Sequence, residues 1–563
     1  MAATEHRRHS VGGVTYPRPD AAATWRGTGA WANETLGSAM RAAAARHPDR
    51  VAIVAGHERI TFAELDRRSD AFAVALAERG VVAPDRVLMQ VGVSVDAVVA
   101  LAACFKSGLI PVCAVPRYGL REMRALAAES AACAHIVEPS AAGSLDLAGL
   151  GLQLQTELPE LSTLIAFGAS PPNGADSGEA LLDAAATAWT STGLRSVVDE
   201  HAPAEEDLLA FQLSGGTTAV PKIIPRFHAE YLGYARHWMR RMQLGADDVV
   251  LWPLPIAHNA GMLLALVPCL TSGATLVLMP RFSVEGFLGA IAAERATFTG
   301  SIGPIAGRLL DFERREDYDL SSLRLFVTLN GAREIEAQTG IPATNIYGIT
   351  EGMVLASGPD ARAAARHGTV GHAVSPGDDT RVLALDGSGE ASHGEVGELC
   401  FRGPSVLTAY VGHPAATDAA FTPDGYFRTG DLVKADDVLG ERCYAFAGRL
   451  KDNIDRGGEK FGVEDIEELL AAHPSIAEAR VVGMPDRDLG ERACAFVILR
   501  GDAPVPPVED VGAFLLRHDV AKFKLPERIE PIDEFPITSV GKLDRPALRA
   551  RIAAILEDEQ RQR

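Results

Sequence analysis

The chain has 563 residues, 47% of them hydrophobic, with a formal net charge of −20 at pH 7. It is long enough for several domains and a large core, and too acidic for general nucleic-acid binding. A chain of this charge repels polyanions at long range, so any polyanion site must be made locally, by donors and a metal ion.

No run of about 20 uncharged apolar residues is present, so no membrane span is expected. No apolar stretch follows the charged start at His6, Arg7, Arg8 and His9, so no secretory leader is expected and the location is read as cytoplasmic. Seven scattered cysteines without a Cys-x-x-Cys pair fit reduced thiols and argue against a structural metal.

Residues 14 to 35, with Pro17, Pro19, Gly27 and Gly29, read as an irregular arm over the first subdomain. Thr35 caps a helix beginning at Leu36, and Val51 to Val54 form a short strand. Thr61 caps a helix running from Phe62 to Arg79, with Leu65, Phe72, Ala73 and Leu76 at helical spacing. A strand over 86–91 and a buried Ala-rich helix over 96–107 continue the alternation of a layered α/β domain. Residues 138 to 206 are rich in Ser, Gly, Pro and acidic side chains and read as variable connections around a few short elements.

The apolar run Leu208 to Leu213 reads as a buried strand, and Ser214-Gly215-Gly216-Thr217-Thr218-Ala219-Val220-Pro221-Lys222 follows it. Two glycines allow a sharp turn and a close backbone approach to a ligand. Backbone amides, hydroxyls and an ammonium aimed into one small volume suit a polyphosphate. The same composition also describes a plain surface turn. It is not a Walker loop, because Pro221 precedes Lys222 and Ile223 follows it.

Beyond the loop come a helix over 229–242, strands near 249–255, 275–278 and 325–327, and a helix near 284–294. Residues 368 to 448 are turn-rich and β-rich, as in a small barrel or distorted sheet. From Gly448 the character changes: an amphipathic helix over 463–472, strands near 479–484 and 493–499, and helices near 508–517 and 546–556 make a compact α+β unit.

Four further motifs follow the loop. They are Tyr347-Gly348-Ile349-Thr350-Glu351-Gly352, Tyr426-Phe427-Arg428-Thr429-Gly430-Asp431, Gly448-Arg449-Leu450-Lys451-Asp452 and Pro536-Ile537-Thr538-Ser539-Val540-Gly541-Lys542-Leu543. Each alone reads as a turn, a linker or an exposed lysine; the ordered set is far more specific. On these residues the chain resembles the adenylate-forming superfamily of acyl-CoA synthetases, luciferases and peptide-synthetase adenylation domains. It looks most like the stand-alone aryl-acid AMP ligases, through Trp31 to Gly37, Phe211 to Thr218, Pro255-Ile256-Ala257-His258-Asn259 and Asp455-Arg456-Gly457-Gly458-Glu459-Lys460.

The resemblance implies an α/β N-terminal domain over 1–448, with layered sheets, helices and a small distorted β-barrel. It also implies a hinge over 449–453 centred on Lys451, and a mobile α+β C-terminal domain over 454–563. It implies that an aromatic carboxylate attacks the α-phosphate of ATP with Mg²⁺ present, and that a phosphopantetheine thiol then takes the acyl group.

By resemblance, Ser214, Gly215, Gly216, Thr217, Thr218 and Lys222 hold the β- and γ-phosphates, and Glu351 with Thr218 serves the metal. Thr350 bonds the α-phosphate, and Tyr347 beside Gly348 stacks on adenine, whose edge meets Gly331, Ala332 and Arg333. Asp431 takes the ribose hydroxyls near Arg449. Lys542 bridges the incoming carboxylate and the α-phosphate, a join of two anions that preorganised cations ease. The acid pocket is expected from His258, Asn259, Ala260, Met262, Gly331, Asn345, Val354 and Leu355.

Ala260 stands where dihydroxybenzoate enzymes carry a Tyr, and Asn345 where they carry a Gln. Salicylate, dihydroxybenzoate, anthranilate and their relatives therefore all stay open as substrates. The chain ends about 20 residues after Lys542, too few for a carrier domain, so the thiol is expected from a separate carrier protein or coenzyme A. Lys522, Lys524 and Arg528 form a local basic group that an acidic carrier could meet, or else a solvated face. A homodimer is one open assembly. A non-catalytic nucleotide-binding protein is the rival class, against which Lys542, Glu351 and Asp431 speak.

Overall fold

The computed structural model describes residues 6–143, 145–168, 171, 173–214, 221–301, 304–310, 312–385, 387–438, 441–450, 454–461, 463–501, 503–536 and 544–561. Gly215, Gly216, Thr217, Thr218, Lys451 and Lys542 therefore lie outside the described residues.

Leu208–Leu213 is buried at every position, as a strand covered on both faces must be. It belongs to a seven-stranded sheet ordered Asp176–Ser177, Thr163–Ala166, Ala134–Val137, Arg86–Gln90, Ile110–Cys113, Leu208–Leu213, Ile223–Phe227. All neighbours run parallel except the last pair, where Leu213 lies opposite Ile223. That antiparallel turn returns the chain on itself and brings the two ends of the glycine loop together.

The second large sheet has nine strands. Its centre is parallel, with Val249–Trp252 between Thr275–Leu278 and Phe298–Gly300, followed by Leu325–Thr328 and Ala343–Gly348. Helices Phe62–Ala77, Val95–Ser107 and His228–Met242 share one apolar core with side chains of both sheets, where Phe72, Phe105 and Trp238 are buried. Thr35, Thr61 and Ser94 cap their helices by accepting from the amide three residues on.

Two stretches are more regular than their composition indicates. The arm contains the helix Pro19–Thr28, with proline in its first turn and left-handed Gly29 ending it at φ 75°. Residues 138 to 206 hold helices Leu147–Glu157, Gly178–Ala188 and Ser191–Glu200, capped by Asp146, Ser177 and Thr190. Their polar residues are caps and outer faces, so averaging over the segment concealed the periodic leucines.

Asp379–Ala384, Val396–Arg402, Phe427–Val438 and Glu441–Arg449 form an antiparallel sheet in chain order, with register shifts at Glu398/Cys400 and Leu432/Val433. This is the distorted β-rich element expected over 368–448. The next strand, Ile454–Arg456, belongs to another sheet, built on the long hairpin Ile476–Asp486 and Gly490–Leu499. Helices Glu464–Ala471, Val508–Arg517 and Arg545–Arg561 accompany it. Among the described residues, no helix is long and apolar enough to cross a membrane.

The C-terminal unit packs on the seven-stranded sheet's side. Phe523 lies 6.3 Å from Tyr118 and 5.8 Å from Phe461, ring to ring. Buried Lys524 pairs with buried Glu122 at 3.4 Å. Arg528 is held by Glu530 and Glu559. The basic group read from Lys522, Lys524 and Arg528 is thus not one exposed face: Lys524 is buried against its carboxylate, as a buried cation requires, and half-buried Arg528 is paired with two more.

Candidate active site

Strand register closes the neck of the glycine loop. Ser214 donates its amide to the Lys222 carbonyl at 3.0 Å, and Lys222 donates its amide to the Ser214 hydroxyl at 3.1 Å. The Lys222 ammonium sits 5.0 Å over the Tyr410 ring. The Tyr410 hydroxyl donates to the Glu351 carboxylate at 2.9 Å. Two backbone bonds, Leu407 to the Glu351 carbonyl at 2.8 Å and Val411 to the Ile223 carbonyl at 3.0 Å, fasten this stretch to both. Tyr410 therefore joins two predicted site residues, and nothing in its local sequence marks it.

Burial pushes the Glu351 carboxyl above the ordinary carboxylate range, while the Tyr410 bond and the Lys222 charge act the other way. Turn geometry explains the placement of Glu351. Gly352 has φ 144°, and a Cβ there would lie 1.8 Å from the Ser405 carbonyl, so only glycine lets the turn close.

A second set of contacts centres on Asp431. Tyr347 donates its hydroxyl to the Asp431 carboxylate at 2.7 Å, and both residues are buried. Thr429 accepts the Asp431 amide at 3.0 Å and donates to the Leu399 carbonyl at 2.7 Å. Glu398, another buried residue the motifs did not single out, accepts from the Gly430 amide at 3.1 Å and from Arg428 at 2.9 Å. Arg449 lies opposite Asp431 in strand register.

On the other edge, left-handed Gly331 at φ 79° starts the helix Ala332–Thr339. Arg333 is exposed. Asn345 is spent on this turn: its carbonyl accepts the Ala332 amide at 3.1 Å, and its amide donates to the His367 carbonyl at 2.9 Å. Both ends of the carboxamide brace the backbone.

Part of this set surrounds a cavity of about 550 Å³, whereas Gly331, Ala332, Arg333, Asn345 and Tyr347 are not among its described lining residues. Its walls include Ser214, Lys222, His258, Gly348, Thr350, Glu351 and Asp431. Gln212 also lines it, donating to the Ala257 carbonyl at 3.2 Å and reaching Met262 Sδ at 3.4 Å. Asn259 is buried one residue beyond His258, its side-chain carbonyl taken by the Tyr231 hydroxyl at 3.0 Å. Half-buried Ala260 follows, and then Gly261, where a Cβ would lie 2.1 Å from the Pro255 carbonyl.

Met262, Val354 and Leu355 are buried but are not among the described lining residues. Val354 and Leu355 also belong to different apolar clusters, because neighbours on a strand face opposite sides.

The C-terminal unit contributes a wall. Gly458 and Glu459 line the cavity beside Tyr118 and Val115. They belong to a hairpin whose turn needs positive φ at Gly457 and Gly458, 63° and 90°. Burial raises the Glu459 carboxyl, and Arg117 opposes that shift.

A family model described as AMP-binding enzyme matches residues 40–411, and one described as AMP-binding enzyme C-terminal domain matches residues 465–542. The chain is 33% identical to a 2,3-dihydroxybenzoate-AMP ligase of Bacillus subtilis, over 95% of this chain and 97% of the relative. It is 34% identical to a salicyl-AMP ligase / salicyl-S-ArCP synthetase of Mycobacterium tuberculosis, over 97% and 96%. The apo structure of MbtA from Mycobacterium smegmatis superposes with a TM-score of 0.72 at 31% identity, covering 96% of this chain and 98% of that one.

Proposed function

The chain belongs to the AMP-binding enzymes, and from that premise we propose that it joins an aromatic carboxylic acid to AMP and then passes the acyl group to a thiol. The acid class is a benzoate with an ortho hydroxyl or amino group. The thiol belongs to the phosphopantetheine arm of a separate carrier protein. The observation that carries the reading is the Tyr410 bridge, which sets Glu351 beside Lys222 in the wall of a cavity also lined by Asp431, itself bonded by Tyr347.

In the first step a carboxylate oxygen bonds to the α-phosphorus of ATP, the bond to the β-phosphate oxygen breaks, and pyrophosphate leaves. Ser214 and Lys222 supply donors for the departing phosphates, and Thr350 supplies one for the α-phosphate. Asp431 offers acceptors to two adjacent ribose hydroxyls. Glu351 is the carboxylate that would hold Mg²⁺, a hard ion that neutralises phosphate charge, and its oxygen chemistry and buried, cation-flanked position fit that ion. Lys542 neutralises charge where the two anions meet.

In the second step the thiol sulfur bonds to the acyl carbon and AMP departs. The hairpin carrying Gly458 and Glu459 already walls the cavity. This supports a C-terminal orientation suited to thiol entry, and adenylation then requires a rotation about residues 449–453 that brings Lys542 in.

On the acid side, His258 lines the cavity, and the buried Asn259 carboxamide next to it, its carbonyl held by Tyr231, keeps an amide donor for an ortho group of the acid. The test is ATP–pyrophosphate exchange with purified protein and a panel of benzoic acids bearing ortho hydroxyl, amino or methyl groups. Exchange dependent on the hydroxy or amino acids is expected; none with any member would overturn the aryl reading. Competition between coenzyme A and an aryl carrier protein for the acyl group then identifies the acceptor.

A further inference from the structure

Away from the cavity, His372, Glu441 and Cys443 come together where the nine-stranded sheet meets the four-stranded one. His372 ends the first of these, in the strand His372–Ala373. Glu441 and Cys443 are two apart on Glu441–Arg449, so they share a strand face. The Tyr444 amide donates to the Gly371 carbonyl at 3.0 Å and the Val370 amide to the Tyr444 carbonyl at 2.7 Å, which sets the two strands side by side.

One ligand atom from each residue lies within 4.8 Å of the other two. His372 Nδ1 is 3.7 Å from Glu441 Oε2, a few tenths of an ångström beyond the edge, about 3.3 Å, of a tetrahedron with metal–ligand bonds near 2 Å, a gap that rotation of the Glu441 side chain can close. That nitrogen is buried and has no hydrogen-bond partner among the described residues. Cys443 is buried while Glu441 is mostly exposed, so two ligands are set in the protein and the third can swing to close the shell.

We propose that His372, Glu441 and Cys443 form a zinc site that clips the edge of the large sheet to the strand leading into residues 449–453. A thiolate, an imidazole and a carboxylate make a mixed donor set that suits Zn²⁺ with water in the fourth position, and not Mg²⁺. Binding requires the Cys443 thiol to release its proton to solvent as the sulfur–metal bond forms. Scattered cysteines without a paired spacing argued against a structural metal; the fold brings His372 to a Glu441/Cys443 pair that begins 69 residues further on, 372 to 441.

The experiment uses the full chain, treated with a chelator and kept reduced, and titrates it with Co²⁺ and then Zn²⁺. One equivalent of cobalt should bind with a near-ultraviolet thiolate-to-metal band, and zinc should displace it. Cys443→Ser should abolish the band, and Glu441→Gln and His372→Gln should each weaken zinc by roughly tenfold or more. Cys133→Ser, distant in the fold, should leave both unchanged. Glu441→Gln alters an exposed side chain, so it decides the matter even if Cys443→Ser fails to fold. Absence of the band in the parent protein, its survival in Cys443→Ser, or unchanged zinc affinity in Glu441→Gln would overturn the site.

Discussion

The side of the cavity proposed to take the nucleotide is held by hydrogen bonds between segments far apart in the chain, whereas the side proposed to take the acid is held by close packing around one carboxamide and one histidine. Tyr347 reaches Asp431 and Tyr410 reaches Glu351 across 84 and 59 residues. On the acid side Gly261 is pressed onto Pro255, and Tyr231 pins Asn259. Phosphates and ribose are recognised by charge and donors at fixed places, which demands such cross-links. An aromatic ring is recognised by shape plus a single polar contact, which packing can supply and small substitutions can retune.

The comparison can be broken most severely where the two sides meet. Lys542→Ala should lower acid-dependent pyrophosphate exchange by roughly 10³-fold while thiolation of supplied acyl-adenylate persists. Equal losses in both half-reactions would mean that Lys542 serves the fold or both steps.

On the nucleotide side, Tyr410→Phe should slow adenylation by roughly tenfold or more, the value of a hydrogen bond to a charged group. Glu351 is pushed up by burial and pulled down by that bond, so losing it raises the carboxyl further. The acid limb of the rate profile must then move to higher pH. A slower enzyme with an unmoved limb would separate Tyr410 from Glu351.

On the acid side, Asn259→Leu should erase the preference for salicylate over unsubstituted benzoate, about tenfold, with little change in the KM for ATP. A raised KM for ATP would show that the two sides are not independent.

The smallest effect concerns the wall behind Asn345. Glu336 bonds Arg366 at 3.0 Å and His367 at 3.0 Å, and Arg366 holds its carboxyl down to about 2. A carboxyl depressed in the folded state stabilises above its ordinary range of about 4.5 and loses that contribution as pH falls toward 2. Glu336→Gln should lower the thermal midpoint by a few degrees at neutral pH and flatten its fall in acid. Parallel pH profiles for both proteins would contradict the linkage.

The same contrast governs what was legible in the sequence. Ser214, Lys222, Thr350, Glu351 and Asp431 stand in motifs whose spacing carries their chemistry, and the fold brings all five to one cavity. Tyr410, Glu398 and Tyr231 act through contacts with segments distant in sequence, and no local pattern points to them. Val354 and Leu355 alternate across their strand, so their side chains join different clusters. In sequence, a carboxamide such as Asn345 looks the same whether it meets a ligand or two backbone groups. The helices between 147 and 200 were hidden by averaged composition, though their caps at Asp146, Ser177 and Thr190 were visible.

A single-turnover reaction with ATP, Mg²⁺ and excess salicylate, resolved for nucleotide products, tests the central claim most directly. The account predicts pyrophosphate released one-for-one with an enzyme-held salicyl-adenylate, and neither product without the acid. Release of ADP and orthophosphate, or of pyrophosphate in the absence of any acid, would contradict it.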